Sequence, residues 1–334
     1  MIKSIQSLFL RSAGRFEMRE RPYEEARESL QSNQVMVQML NAPINPSDFY
    51  FTLNAYFDKK PMPCIPGFEG LGRIIEVGSS VSKQLIGQKV ACHFFDSTGG
   101  AYSTHSITEV NKVFPVDEKI DPLSFPFLVN PITSIGLLEL AQKSNTEWFV
   151  QNGASTSVGK LLLLLNRHSG SRHPLKSINI VRNDVHREFL ESIGADFILS
   201  QNDGNFPKFL KEALLKHSPK IGFDCLAGDH TGTLFNAMPK GSSLWVYGAL
   251  DIRHCSNIDP QHLIFMDKTI KGFHAFRSFL KDQPLSSIEQ DLKTIYTHWQ
   301  GDRPPKVFDL ENYAEAFKYF RQKNEKVILQ MNTE

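Results

Sequence analysis

The sequence predicts an α/β protein with a six-stranded, doubly wound parallel sheet and a second, β-rich domain. Residues 126–276 alternate between short β-type runs and helical runs, which is typical of parallel strands joined by crossover helices. Residues 4–120 show short apolar runs broken by Gly, Pro and Asn, as antiparallel strands do. At 334 residues the chain exceeds one ordinary core. We therefore predict domains at 126–276 and at 1–125 with 277–334.

The first domain begins with a β-type run over Ile5–Leu10. Few acids and several basic residues at the N-terminus also suggest a targeting peptide, but we assign this run as a strand. Three more strands are expected at Gln34–Leu40, which alternates partly between apolar and polar residues, Leu71–Val77 and Lys89–Phe94. These strands predict a compact, mostly antiparallel, barrel-like domain.

The second domain contains six predicted strands separated by helices. The strands are expected at 148–151, 177–182, 197–199, 221–226, 243–248 and 269–273, and the helices at 158–167, 185–193 and 207–216. Beyond residue 277, helices are expected at 285–299 and 313–322. The final strand, 326–330, is expected to return to the first domain.

Composition excludes several function classes. The formal net charge is +1, so neither a nucleic acid nor a membrane surface is an expected partner. No apolar run reaches 18 residues, which argues against a transmembrane helix. The four cysteines are scattered and form no C-x-x-C pair. This usage favours a reducing compartment, and we predict a cytoplasmic protein.

One turn carries the strongest functional signal. Val150–Gly159 is rich in small residues and links a β-type run to the apolar run Leu161–Leu165. A strand, a small-residue turn and a helix present backbone N–H groups that bind phosphate, as in a dinucleotide-binding unit. Thr156 stands where the middle glycine of the usual pattern is expected. The spacing to Lys160 excludes a P-loop, but an ordinary tight turn remains possible.

Several stretches resemble the medium-chain dehydrogenase/reductase superfamily, and within it the zinc-free NADPH-dependent 2-enoyl thioester reductases. They follow in the family's order over some 230 residues: Ala42–Asp48, Pro66–Gly72, Val129–Ser134, Ile180–Arg182, Val246–Gly248, Leu263–Asp267 and Gly272–Phe273. The resemblance implies a Rossmann cofactor domain and a GroES-like catalytic domain. It also implies a homodimer that pairs the sixth strands around 269–273.

Zinc-dependent members of the superfamily place a Cys before an early Asp and a His before a Glu. Asn45 and Phe68 stand at these positions, and a phenyl ring cannot ligate a metal. We therefore expect no metal site. His93 and His105 show no metal-ligand spacing and are predicted at the surface or in a pocket wall.

Arg182 indicates the cofactor. It ends the second predicted strand about 20 residues past the turn, where NAD-specific proteins carry an acidic residue. A guanidinium there pairs with a 2′-phosphate, and the family uses Arg at this position, so we predict NADPH. Asp184 could repel that phosphate. We interpret it as the N-cap of the helix beginning near Val185.

The resemblance assigns the remaining cofactor contacts. Asn130 and Thr133 are expected near the nicotinamide. The predicted cofactor-binding residues are Asn130, Thr133, Ser155, Thr156, Ser157, Val158, Arg182, Tyr247, Gly248, Phe273 and Lys326. Ser157 and His274 depart from the family's usual Gly and Trp.

Reducing an α,β-unsaturated thioester requires a hydride at Cβ and a proton at Cα. The family uses a tyrosine in a short turn, and Tyr56 aligns with it. Asn45 is predicted to orient Tyr56 or the carboxamide, and Tyr50 is a weaker candidate for the acid. The predicted substrate is a small molecule, a 2-enoyl thioester. A quinone or enone reductase and a non-catalytic NADPH-binding protein are the alternatives.

Overall fold

The computed structural model describes residues 2–57, 60–95, 99–168, 170, 174–281, 283–301, 303–323 and 325–332. The chain forms two compact units. Unit 1 comprises 1–129, 284–287 and 300–334, and unit 2 comprises 130–283 and 288–299. Unit 2 thus includes most of 277–299, which the sequence analysis gave to the first domain, because the helix Glu289–His298 packs against the helix Ser157–His168.

The elements are numbered in chain order. The described strands are β1 Ser4–Ser12, β2 Arg15–Pro22, β3 Gln34–Ile44, β4 Glu69–Val77, β5 Lys89–His93, β6 His105–Glu109, β7 Val113–Pro115, β8 Trp148–Gln151, β9 Lys176–Val181, β10 Phe197–Ser200, β11 Ile221–Asp224, β12 Ser243–Val246, β13 Thr269–Gly272, β14 Lys306–Asp309 and β15 Val327–Gln330. The described α-helices are α1 Tyr23–Glu28, α2 Pro46–Thr52, α3 Val129–Lys143, α4 Ser157–His168, α5 Arg187–Ser192, α6 Phe206–His217, α7 Asp229–Ala237, α8 Pro260–Phe265, α9 Glu289–His298 and α10 Tyr313–Lys323.

Unit 2 is built on a six-stranded parallel sheet in the order β10-β9-β8-β11-β12-β13. This confirms the predicted fold class. The strand order reverses between β8 and β11, and ligands of open α/β sheets bind outside the carboxyl ends of the strands at such a point. The turn after β8 therefore lies where a dinucleotide site is expected.

The longest helix in the described ranges, α3, was not among the predicted elements. Most of its residues are buried, so it has no polar face and no readable helical period. At Gly136 the ring of Phe273 approaches so closely that a Cβ atom would lie 2.5 Å from it. The helix is thus defined by close packing inside unit 2.

Unit 1 contains a sheet in the order β14-β15-β3-β4-β5-β7, with β6 also pairing with β3 and a separate ribbon of β1 and β2. β1 covers the run that was weighed against a targeting peptide. β15 pairs antiparallel with β3, so the C-terminal strand joins the N-terminal region, as predicted. Within the described ranges, none of the helices is both long and apolar enough to cross a bilayer.

Candidate cofactor and active site

The turn between β8 and α4 is shaped by two glycines. Gly153 has a positive φ of 56°, and a Cβ atom there would lie 2.3 Å from the Cys225 Sγ atom. A Cβ atom at Gly159 would lie 2.7 Å from the Ala154 carbonyl oxygen. The backbone N–H of Thr156 donates to the Gly153 carbonyl at 2.8 Å. The turn is therefore tight, and it delivers the chain directly into the N-terminus of α4.

Two further segments lie at this edge of the sheet. Tyr247 follows β12, and its backbone N–H donates to the Asp224 carbonyl at 2.9 Å. A Cβ atom at Gly248 would lie 2.9 Å from the Cys225 carbonyl oxygen. The buried Tyr247 hydroxyl lies beside the side chains of Cys225 and Thr156, but no described group meets it in hydrogen-bonding geometry. The hydroxyl is buried without such a partner, and the backbone at Gly153 and Gly248 leaves no room for side chains. Both features fit a bound dinucleotide.

Arg182 lies at the exposed carboxyl end of β9, and its side chain makes no ion pair within the part of the chain that the structure describes. The interpretation of Asp184 as an N-cap is wrong, because the Asn183 side chain accepts from the Val185 N–H at 3.3 Å. Asp184 instead pairs with Arg187, with an N–O distance of 2.5 Å. This pairing offsets the charge that would otherwise repel a phosphate beside Arg182.

The first turns of α3 lie against the beginning of α4. The Ser134 hydroxyl donates to the Asn130 carbonyl at 2.9 Å and to the Val158 carbonyl at 3.1 Å. Asn130 is half-buried and Thr133 is buried. The fold thus brings two predicted nicotinamide contacts close to the predicted phosphate turn.

Three other positions singled out in the sequence make contacts with groups of the protein. Phe273 is buried against Gly136. His274 caps the π-helix Ala275–Leu280, and its Nδ1 atom accepts from two backbone N–H groups. Lys326 lies in unit 1, where its Nζ donates to the Phe125 carbonyl at 3.0 Å. These contacts do not test their predicted cofactor roles.

Tyr56 lies in a cluster of aromatic rings in unit 1. Its ring centroid is 5.7 Å from that of Phe68, which stacks on Phe95 at 4.4 Å. The Lys60 Nζ lies 5.3 Å from the centroid of the Phe68 ring. Phe68, which stands where zinc-dependent members carry a histidine, therefore supports the predicted acid. The buried Lys60 was not anticipated, because no pattern in the sequence links it to Phe68.

Two buried carboxylates lie beside this cluster. Glu69 accepts from the Asn45 side-chain amide at 2.6 Å and from the Leu128 and Val129 N–H groups at 2.7 and 2.6 Å. Asp48 accepts from the Phe68 N–H at 2.7 Å and from the Asn45 N–H at 3.0 Å. Burial raises the pKa of Glu69 to about 7 and the pKa of Asp48 to about 6.

The described contacts of Asn45 are thus structural. Asn45 begins α2 in a capping box with Asp48 and donates its amide to Glu69. Its predicted role in orienting Tyr56 remains a prediction. Both His93 and His105 are buried strand residues, and burial lowers the pKa of His93 to about 3. The surface alternative for these two residues is therefore wrong, and their place in a pocket wall stays a prediction.

Together, these features define a class of protein. Unit 2 has the fold of a dinucleotide-binding domain, with the predicted phosphate turn at the reversal point of the sheet, and unit 1 is a β-rich domain that contains Tyr56 and two buried acids. No group of three or more His, Cys, Asp or Glu side chains that could hold a metal occurs among the described residues.

Comparisons with known proteins agree with this class. A family model described as the alcohol dehydrogenase GroES-like domain matches residues 31–118. The mitochondrial enoyl-[acyl-carrier-protein] reductase of Arabidopsis thaliana is 28% identical over 253 residues, which cover 73% of this chain. The match spans 65% of that relative, slightly less than two thirds of its length.

Solved structures share the whole fold. A proposed NADPH:quinone reductase from Mesorhizobium loti superposes with a TM-score of 0.82 at 24% identity, covering 99% of each chain. The complex of Etr1p, a 2-enoyl thioester reductase from Candida tropicalis, with NADP and crotonyl-CoA gives a TM-score of 0.76 at 20% identity and covers 99% of this chain and 100% of that one. These similarities confirm the resemblance to the medium-chain dehydrogenase/reductase superfamily that the motifs predicted.

Proposed function

We propose that the protein is an NADPH-dependent oxidoreductase that reduces the C=C bond of a 2-enoyl thioester. The observation that carries this proposal is the cofactor site of unit 2. There, the Gly153 turn, the buried Tyr247 hydroxyl and the exposed Arg182 lie at the carboxyl edge of a parallel sheet. The similarity to enoyl reductases supports the choice of substrate.

Each part of a bound NADPH would have a dedicated contact. The turn residues Ser155, Thr156, Ser157 and Val158 would hold the pyrophosphate through backbone N–H groups and hydroxyls at the start of α4. Arg182 would pair with the 2′-phosphate. Asn130, Thr133, Tyr247, Gly248 and Phe273 would line the nicotinamide half. When bound, the cofactor supplies a hydride equivalent.

The protein's own contribution to the chemistry is the control of one proton. Tyr56 would donate its phenolic proton to Cα, or donate a hydrogen bond to the enolate oxygen. A phenol is protonated and neutral near pH 7, so the group that donates the proton is uncharged. The ring of Phe68 packs against this tyrosine, with 5.7 Å between the ring centroids.

The same residues support a mechanism without zinc. Asn45 and Phe68 occupy two positions at which zinc-dependent members have metal ligands. Neither the phenyl ring of Phe68 nor the side-chain amide of Asn45 is a usual zinc ligand. Glu69 uses its oxygens for three N–H donors. Metal analysis of the purified protein tests this point, and one tightly bound zinc per chain would contradict it.

A quinone or enone reductase is the second candidate. It would use the same cofactor site without a carrier-bound substrate, and the M. loti protein, which has the higher TM-score, favours it. Tyr56 is compatible with both candidates, whereas a carrier thioester also needs a binding surface for its carrier.

A substrate panel with NADPH consumption as the readout separates the candidates. We expect oxidation of NADPH with crotonyl thioesters and little with simple quinones. Turnover restricted to quinones would transfer the assignment to the second candidate. Tight binding of NADPH without turnover on any substrate in the panel would favour a non-catalytic NADPH-binding protein.

A homodimer formed through the edge strand β13 is part of the proposal. β13 has a described partner, β12, on only one side. The neighbouring helix α8 exposes Leu263, Ile264 and Phe265, an apolar surface that a second copy would cover. Light scattering of the purified protein tests this, and a monomer at micromolar concentration would contradict it.

The compartment remains a prediction. The scattered cysteines favour a reducing environment and the cytoplasm. The enoyl reductase relatives, in contrast, are named as mitochondrial proteins. Fractionation of cells that produce the full-length protein decides between the two.

A further inference from the structure

One hydrogen bond joins β8 and β11 at the point where the strand order reverses. The Asn152 side-chain amide donates to the Asp224 carboxylate at 2.7 Å. The Cys225 N–H donates back to the side-chain Oδ1 atom of Asn152 at 2.9 Å. Asn152 and Asp224 are both buried. Asn152 directly precedes Gly153, and Asp224 directly precedes the loop 225–228, so this pair joins the two loops that border the reversal point.

Asp224 is satisfied without any basic partner among its described contacts. Besides Asn152, it accepts from the Leu226 and Ala227 N–H groups at 2.8 and 3.1 Å and from the Thr231 hydroxyl at 2.6 Å. These bonds hold Ala227 at a positive φ of 63°, a conformation that non-glycine residues rarely adopt. The carboxylate thus fixes the shape of loop 225–228 and the beginning of α7.

The pair also fixes the phosphate turn. Cys225 follows Asp224, and its Sγ atom occupies the space where a side chain at Gly153 would lie. The Tyr247 N–H donates to the Asp224 carbonyl. All three segments at this edge of the sheet are therefore tied to Asp224 or to the residue next to it.

We infer that Asn152 and Asp224 are positioning residues, which hold the two loops at the spacing that a dinucleotide requires. The inference rests on the proposed function, because it assigns these residues to the same NADPH site. Neither residue was anticipated from the sequence. They act through the loops, because the described hydrogen bonds of both side chains go to other groups of the protein.

The test replaces the amide by a carboxylate. Asn152→Asp places two carboxylates in one buried site, where they must share a proton or repel each other. Protonated Asp at 152 can donate to Asp224 as the amide does, so the spacing is restored at low pH. The titratable neighbours Cys225 and Tyr247 stay neutral, because burial raises the pKa of Cys225 to about 12 and the pKa of Tyr247 well above its usual value.

We expect the Kd for NADP⁺, measured by calorimetry, to rise at least about tenfold in Asn152→Asp at pH 8 and to approach the wild-type value at pH 6. Asp224→Asn should weaken binding at both pH values. Asn166→Asp is the matched control. Asn166 is a buried amide at the far end of α4 that bonds to the backbone of Leu175, so its substitution should lower the melting temperature without changing the Kd.

Other outcomes would overturn the inference. A Kd in Asn152→Asp equal to that of the wild type at pH 8 would show that the pair has no positioning role. A loss of affinity that is independent of pH and equal to that in Asn166→Asp would show a purely structural role. If the wild-type protein binds no NADP⁺, the proposed function fails together with this inference. If the wild type binds and the variants bind equally well, only the inference fails.

Discussion

The candidate cofactor site of unit 2, called the cofactor half below, and the tyrosine cluster of unit 1, called the tyrosine half, are built in different ways. In unit 2, backbone geometry dominates: the positive φ of Gly153, the N-terminus of α4 and the loop bonded to Asp224. In unit 1, Tyr56 packs against Phe68, whose N–H donates to the buried Asp48, and burial raises the pKa of the next residue, Glu69, to about 7. The cofactor half should therefore be sensitive to changes of backbone shape, and the tyrosine half to changes of proton binding.

The largest expected effect is kinetic and confined to the tyrosine half. Tyr56→Phe should lower kcat for an enoyl thioester roughly 10²- to 10⁴-fold, because the proton donor is lost. The Kd for NADP⁺ should stay the same. Tyr50→Phe is the control, because Tyr50 lies half-buried on α2 beside Phe49. A larger loss of kcat in Tyr50→Phe than in Tyr56→Phe would move the acid to Tyr50.

The next effect belongs to the cofactor half. Arg182→Ala should raise the KM for NADPH roughly 10- to 100-fold, because hydrogen bonds to charged groups contribute roughly 1.5–3 kcal/mol. The KM for NADH should change little, since NADH lacks the 2′-phosphate. Steady-state kinetics with both nucleotides provides the measurement. Equal changes for both would contradict the assignment of Arg182.

A backbone substitution tests how closely the phosphate turn is packed. Gly153→Ala should lower the free energy of unfolding by about 1–3 kcal/mol and weaken the binding of NADP⁺, because a Cβ atom meets the Cys225 sulfur and the φ is positive. Gly241→Ala is the matched control. Gly241 also has a positive φ, of 73°, but nothing lies within 4 Å of its added Cβ atom.

Chemical unfolding and calorimetry on both variants distinguish the backbone strain of a positive φ from the close contact with Cys225. The control should show the smaller loss of stability and normal affinity for NADP⁺. Similar losses of stability in both variants would mean that the contact between the added Cβ atom and the Cys225 sulfur adds nothing to the loss.

The smallest expected effect is a pH dependence of stability from unit 1. The folded-state pKa of Glu69 is raised from 4.5 to about 7, so the folded protein keeps a proton that the unfolded chain releases. The contribution of Glu69 to the free energy of unfolding should therefore fall as the pH rises from about 4.5 to about 7, by at most about 1.4 kcal/mol per pH unit. Glu69→Gln should remove that part of the slope.

Urea unfolding at a series of pH values, compared between wild type and variant, isolates Glu69 from its neighbours. His93 contributes with the opposite sign. Its pKa is lowered to about 3, so the stability it contributes is lost as the pH falls below about 6.5. Identical slopes in the wild type and Glu69→Gln would show that Glu69 does not titrate in this range.

Part of the site was predictable because its signal is local. The small residues of Val150–Gly159 between an apolar strand and an apolar helix predicted the phosphate turn. Arg182 was predicted from its distance to that turn, and its role stays a prediction. Tyr56 required the family resemblance, since one tyrosine in a loop has no physical signature of its own. Asp184 was misassigned because Asn183 beside it is an equally good cap.

By itself, the sequence determined the alternation of strands and helices in the second domain, the six parallel strands and the return of the last strand to the first domain. Periodicity and turn residues act over a few positions, so they can be read along the chain. Only the tertiary structure decided which buried polar groups meet. The bond between Asn45 and Glu69 spans 24 residues and that between Asn152 and Asp224 spans 72. Such partners are chosen by the packing of whole sheets, and the buried helix α3 is defined by packing in the same way.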